Sequence, residues 1–176
     1  MTKFKNLIIL SPLAYVLHHI EEHIIFNFRD WRLTYFQDNN SLSTEEVLVR
    51  LLVVLLIFIF VHSVRENKGS AHVLLYFLMT TQVVNFFFHI FFSLYFLDFS
   101  PGAITGILFY LPINYLIFKA ALNERLLNNT KEIAFIFVLG VSTFALFEYI
   151  GPIVMQISFL LSITYYFFST KYIHSN

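Results

Sequence analysis

From Leu51 to Val61 the chain carries no polar side chain, inside an apolar stretch of about 47–64. About 20 apolar residues, rising about 1.5 Å each along a helix, cross the hydrocarbon core of a bilayer. Five further segments qualify, at about 7–28, 71–97, 102–120, 132–150 and 153–170. The whole chain fits this pattern. Of its 176 residues 58% are hydrophobic and 12% charged, where a soluble chain has roughly 45–50% and about 25%. Too few polar side chains remain to cover a water-facing surface. The expected fold is therefore all-α, a polytopic transmembrane helix bundle of about six spans, forming a single transmembrane domain over 1–176 in the cell membrane. The last two segments are separated only by a turn at Ile150-Gly151-Pro152, where Pro removes a donor and stops the preceding helix. One long kinked helix is the alternative there.

Eleven basic residues balance eleven acidic ones, and no Lys/Arg run is long enough to follow a phosphate backbone, so nucleic acid is not an expected partner. The absence of cysteine excludes disulfides, thiolate nucleophiles and Cys-ligated zinc or iron–sulfur clusters. Any metal must be held by imidazole, carboxylate or amide groups. Lys3 and Lys5 before an apolar run imitate a signal peptide, but no small-x-small cleavage site follows, and the run is expected to persist as a mature helix. With six spans, Lys3, Lys5, Arg65, Lys68, Lys119, Arg125, Lys131 and Lys171 gather on one side and Arg29, Arg32 and Arg50 on the other. The positive-inside bias then puts both termini in the cytoplasm and makes Arg29 to Glu46 the longest external loop.

Ionisable groups inside a span cost roughly 2.5–3.5 kcal/mol each near the bilayer centre, so they mark candidate sites that face protein or water. The first segment carries the heaviest load. His18, Glu21 and Glu22 are spaced i, i+3, i+4 and share a face, and His19 pairs with Glu22 and His23 by the same rule. Imidazole and carboxylate together suit zinc, iron or manganese. At the helical rise, Glu22 and His89 each fall about 7 Å outward of their span midpoints, Asn85 about 1–2 Å, and Glu148 and Gln156 about 10 Å. Gln82 lies one turn from Asn85. His62 falls near the inner end of its span and is left out of the site, and His72 and His174 read as boundary residues. Glu148 beside the Gly-Pro turn is equally compatible with an interfacial role.

The run His18-His19-Ile20-Glu21-Glu22 resembles the signature of the HXXEE family, small bacterial integral membrane proteins named for that motif. Arg29-Asp30-Trp31 resembles the aromatic stretch after the motif. Asn85 with His89 resembles the family's N-x-x-x-H helix, and Phe99-Ser100-Pro101-Gly102 with Thr105 its turn before the next span. The similarity covers roughly 7–120. It implies that His18, Glu21, Glu22, Asn85 and His89 belong to one site, and that the last two helices are less typical of the family. Pro101 is expected to start a helix and Gly102 to permit close approach, which would hold Asn85 and His89 against Thr105.

The residues support three readings. The first is a metal-dependent membrane enzyme acting on a lipid or other apolar small molecule. Here His18, Glu22 and His89 ligate one divalent ion, zinc or iron, Glu21 is a bridging ligand or general base, and Asn85 orients water or substrate. Zinc would suit hydrolysis and iron oxidative chemistry. A ferritin-like two-metal site needs Glu-x-x-His pairs, whereas this chain has His-x-x-Glu. One ion is preferred over a His-rich two-metal set. The second reading is a relay of protons or metal ions, or a receptor for a hydrophobic ligand. The third is a non-catalytic structural or interaction protein whose polar core glues helices together.

Overall fold

The computed structural model describes residues 2–38 and 42–173, and His174 and the centre of the expected external loop lie outside them. A one-turn helix, Phe4–Leu7, leads into α1, which is α-helical over Leu10–Ile20 and continues as a wider π turn over Glu21–Ile25. Then follow α2 (Phe28–Tyr35), α3 (Thr44–Arg65), α4 (Lys68–Phe96), α5 (Ala103–Asn123), α6 (Thr130–Ile150) and α7 (Ile153–Ile173). No strand occurs among the described residues.

Among the described residues, helices α3 to α7 are the five that are long and apolar enough to cross a membrane. The sixth expected segment, α1, is helical over 10–25 but shorter. Sixteen residues rise about 24 Å, less than the roughly 30 Å of a hydrocarbon core, and its His and Glu side chains turn inward. Side-chain caps fix the starts of three of the spans, Ser43 before α3, Asn67 before α4 and Asn129 before α6. Each such cap satisfies a backbone N–H that lipid cannot, at about 1 kcal/mol apiece in water. The turn at Gly151, with φ of +101°, separates α6 from α7 as two helices packed on each other.

Helix α4 is the centre of the bundle. Just over half of its span is buried (56%), against 11% for α6 and for α7. Leu74, Leu75 and Leu78 are fully enclosed. Gly140 of α6 lets the two backbones approach, since a Cβ there would sit 3.2 Å from Met79 Cγ and 3.3 Å from Thr80 Oγ1. Close contact through small residues is how helices associate where no hydrophobic drive separates lipid from protein. The outer faces carry exposed Phe60, Leu94, Tyr149, Leu160 and Phe167, a surface suited to acyl chains rather than water.

Three π turns interrupt this bundle, at Glu21–Ile25, Met79–Val84 and Gly106–Tyr110. The third has a clear chemical cause. Pro112, two residues beyond it, has no N–H to return to the preceding turn, and the local rewinding absorbs the lost bond. Polar contacts tie each end of the bundle. At one end Lys5 pairs with Glu66 at 3.0 Å, the Phe4 N–H donates to Glu124 at 2.6 Å and Lys68 donates to Asn128 at 2.7 Å. At the other end Arg32 donates to Glu148 at 2.9 and 3.0 Å and Tyr35 to Asp98 at 2.9 Å.

Candidate functional site

The second of these ends holds the polar cluster. Glu22 is at its centre, buried, with Oε1 3.0 Å from His89 Nε2 and 3.3 Å from His18 Nε2. Ligand atoms of all three residues lie within 4.8 Å of one another. A tetrahedral ion bound at about 2.0–2.1 Å holds its ligand atoms about 3.3 Å apart, a spacing the two Glu22 separations approach. His89 and His18 are 0% and 1% exposed.

The far side of each imidazole is fixed. His18 Nδ1 lies 2.9 Å from Thr105 Oγ1, and the Thr105 hydroxyl donates to Glu21 Oε2. A carboxylate only accepts, so the Thr105 oxygen is left to accept from the Nδ1–H of His18. In the neutral ring Nε2 then carries the lone pair, which accepts from the Asn85 amide, with Glu22 Oε1 beside it at 3.3 Å. Asn85 Nδ2 sits 3.0 Å from the same nitrogen. His89 Nδ1 lies 2.9 Å from Ser100 Oγ, and the Ser100 N–H donates to Ser93 Oγ at 2.9 Å. Nε2 of His89 has no hydrogen-bond partner of ordinary geometry. Imidazoles whose outer nitrogen is held by a polar partner while the inner one converges on a carboxylate are arranged as metal-ligating histidines are. Chemically the centre can hold a proton or a metal ion.

Glu21 does something else. Its Oε1 accepts from the N–H groups of Gly102 at 3.0 Å and Ile104 at 3.1 Å, and its Oε2 from the N–H of Thr105 at 2.6 Å and from the Thr105 hydroxyl. The first turn of a helix has donors with no partner inside the helix and a partial positive charge. Glu21 of α1 caps α5 across the bundle. With four donors on its two oxygens, it is not placed as the bridging ligand or general base expected from the sequence. Pro101 also departs from expectation, because it precedes the cap residue Gly102 instead of occupying the first helical position.

Gly102 is where the chain crosses the cluster. Its φ is +102°, and a Cβ there would lie 2.8 Å from both His18 Cε1 and His89 Nε2. The helix α2 covers the outside, with the Phe28 ring 5.1 Å from His89 and Trp31 buried among Phe28, Tyr35 and Phe96. On the inner side the His18 ring lies 4.3 Å from Tyr110.

A second triad shares the same carboxylate. Glu22 Oε2 is 3.3 Å from His19 Nδ1 and 3.6 Å from His23 Nε2. These two imidazoles are less buried and line a cavity of about 180 Å3 together with Glu22, Asn85, Leu51, Phe144, Phe147 and Met155. The i, i+4 spacing of His19 and His23 was visible in the sequence, but the side of Glu22 that each would face was not.

The structure thus gathers His18, Glu21, Glu22, Asn85 and His89, with Ser100 orienting His89, and Thr105 orienting His18 where the sequence reading set it against Asn85 and His89. Glu148 borders the cavity in an ion pair with Arg32. Gln156 is exposed, contrary to the depth argument. Gln82 lies one layer inward, accepting from Asn114 at 2.8 Å and donating to the Ser11 carbonyl at 3.1 Å. His62 is at the opposite end beside Ser70, and His72 bonds Tyr165 and the Leu126 carbonyl.

No curated protein and no solved structure matches the chain. A family model does, over residues 9–117, a stretch that begins directly before α1 and ends inside α5, and so contains every residue of the cluster. Its description is a protein of unknown function with HXXEE motif, and the chain belongs to that family.

Proposed function

We propose that the chain is a metal-dependent integral membrane enzyme that acts on a lipid or another apolar substrate. The observation that carries this reading is the buried Glu22 carboxylate oxygen with imidazole nitrogens at 3.0 and 3.3 Å whose other nitrogens are held by hydroxyls. His18, Glu22 and His89 hold the ion, Asn85 sets the His18 side of the site, and Glu21 is a positioning residue that fixes Thr105 and the 102–105 turn. An apolar substrate is supported by the cavity beside Glu22, walled by Leu51, Phe144, Phe147 and Met155 and set among helices whose outer faces are apolar. Zinc there would supply a Lewis acid for hydrolysis, and iron would supply oxidative chemistry.

Elemental analysis of detergent-purified protein, prepared without affinity-tag metals, tests the reading. Near-stoichiometric zinc or iron is expected, with the content falling in His18→Ala and in His89→Ala. Folded, monodisperse protein without bound metal after incubation with either ion would overturn it.

A second reading, a proton relay, is favoured by one observation. Ser11 Oγ, Tyr15 and Tyr110 hydroxyls and Asn114 Oδ1 are buried without hydrogen-bond partners inward of the cluster, where a chain of waters would satisfy them. Proton flux into vesicles reconstituted with the protein would favour it over the enzyme.

We further propose that both termini face the cytoplasm, because eight of the eleven Lys and Arg residues fall on the side of the Lys5–Glu66 and Lys68–Asn128 contacts. The chain has no cysteine of its own. Cysteine introduced at Glu45 is expected to label with an impermeant maleimide in intact cells, and cysteine at Arg125 only after lysis. The opposite pattern would invert the topology.

A further inference from the structure

We propose that Glu22 bridges two cation positions, and that the position presented to the cavity is formed by His19, His23 and Glu22 Oε2. This rests on the reading above that the cluster holds metal, and goes beyond it by adding a second ion and assigning the open face.

The geometry is nearly symmetric about one carboxylate. Oε1 faces His18 and His89 at 3.3 and 3.0 Å, and Oε2 faces His19 and His23 at 3.3 and 3.6 Å. Each half offers two nitrogens and one oxygen, with ligand atoms close enough to meet on a single ion. The arrangement follows from helix periodicity. At about 100° per residue, His18, Glu22, His19 and His23 fall in that order within an arc of about 140°, so the carboxylate lies between the imidazoles it serves. The π turn that starts at Glu21 widens the backbone beneath them. Such turns recur at functional sites because they reposition side chains without ending the helix.

The two halves differ in access. The side chains of His18 and His89 are 1% and 0% exposed, and those of His19 and His23 are 12% and 20%. Both His19 and His23 line the cavity, whereas of the inner pair only His18 does and His89 does not. His19 Nδ1 is buried and makes no hydrogen bond of ordinary geometry. Three protein donors leave a fourth position open in each half, as in catalytic sites, and the half with the more exposed imidazoles is the one a substrate reaches more readily. The inner ion therefore holds α1, α4 and the 100–105 turn together, and the outer ion meets the substrate. A hydrolytic reaction would use the outer position to activate water, and the carboxylate bridge would let the inner ion add to the local positive charge.

The experiment is equilibrium dialysis of the full chain in detergent against zinc, followed by manganese loading and electron paramagnetic resonance. Wild type is expected to bind two zinc ions per chain and His19→Ala/His23→Ala one. With manganese, wild type should give the broadened spectrum of a coupled pair, and the double variant the six-line signal of an isolated ion. One zinc in wild type, retained in the double variant and lost in His89→Ala, would overturn the second position while leaving the proposed function standing. No zinc in wild type would overturn both. A six-line signal from wild type loaded with two manganese ions would overturn the shared bridge. Elution of the double variant as a monodisperse peak guards against misfolding, and because its two imidazoles are the more exposed ones, this pair is the better choice for substitution.

Discussion

Glu22→Gln is expected to lower zinc affinity more than about 100-fold, and to remove both ions together. Loss of a group that merely orients a metal ligand costs about 10–100-fold, and Glu22 is the one side chain in contact with all four imidazoles of the cluster. The amide keeps the volume of the carboxylate but not its charge. One of its ends becomes an NH2 group aimed at two nitrogens, and it can donate to a lone pair there but bind no cation. The carboxylate is buried, so no bulk water substitutes for the missing ligand. Because the shape is preserved, the metal-free variant should retain the secondary structure and a thermal midpoint near that of metal-free wild type. Its midpoint should no longer rise on adding zinc, since stabilisation by a ligand requires binding to the folded state. Glu22→Asp keeps the charge on a shorter arm and is expected to recover part of the affinity. Zinc binding by Glu22→Gln equal to wild type would remove this carboxylate from the centre.

The spans were legible because they depend on composition and length alone, as in Leu51 to Val61. The limits of α1 were not, since its early end depends on where Glu21 finds its donors in α5 and on Phe26 leaving the helix with extended backbone. Helical rise put Glu22, Asn85 and His89 in one half of the bundle, and it was the resemblance to the HXXEE family that implied one site for them with His18. Gln156 failed the same test. Its depth on α7 says nothing about which side of the helix faces inward, and the bundle leaves that side exposed. The role of Glu21 was also hidden, because a carboxylate that ligates metal and one that caps a distant helix look alike in a sequence. Only the four donors around it decide between them. The π turns escaped for a related reason. Pro112 gives a local cause for one, and the others have no mark in composition.

Gly102→Ala is expected to cost about 2–6 kcal/mol of stability and to abolish metal binding, although the residue supplies no ligand. Two costs combine. At φ of +102° an L side chain is strained by about 1–3 kcal/mol, and a methyl group forced into a filled core adds about 1–3 kcal/mol. The contacts show where the methyl would press. It would stand 2.8 Å from His18 Cε1 and 2.8 Å from His89 Nε2, the two rings whose convergence on Glu22 makes the inner position. Neither ring can retreat freely, because Thr105 and Ser100 hold their outer nitrogens. The backbone cannot retreat either, since the Gly102 N–H donates to Glu21 at 3.0 Å. Gly106→Ala is the control. Its methyl would meet the edge of Phe86 at 2.9 Å, at a right-handed position that opens the third π turn and against one apolar ring instead of the ligand imidazoles, so a smaller loss of stability with zinc binding retained is expected. Thermal unfolding in detergent and zinc dialysis on both variants would separate the effects. Wild-type zinc affinity in a folded Gly102→Ala protein would mean that the 100–105 turn does not shape the cluster.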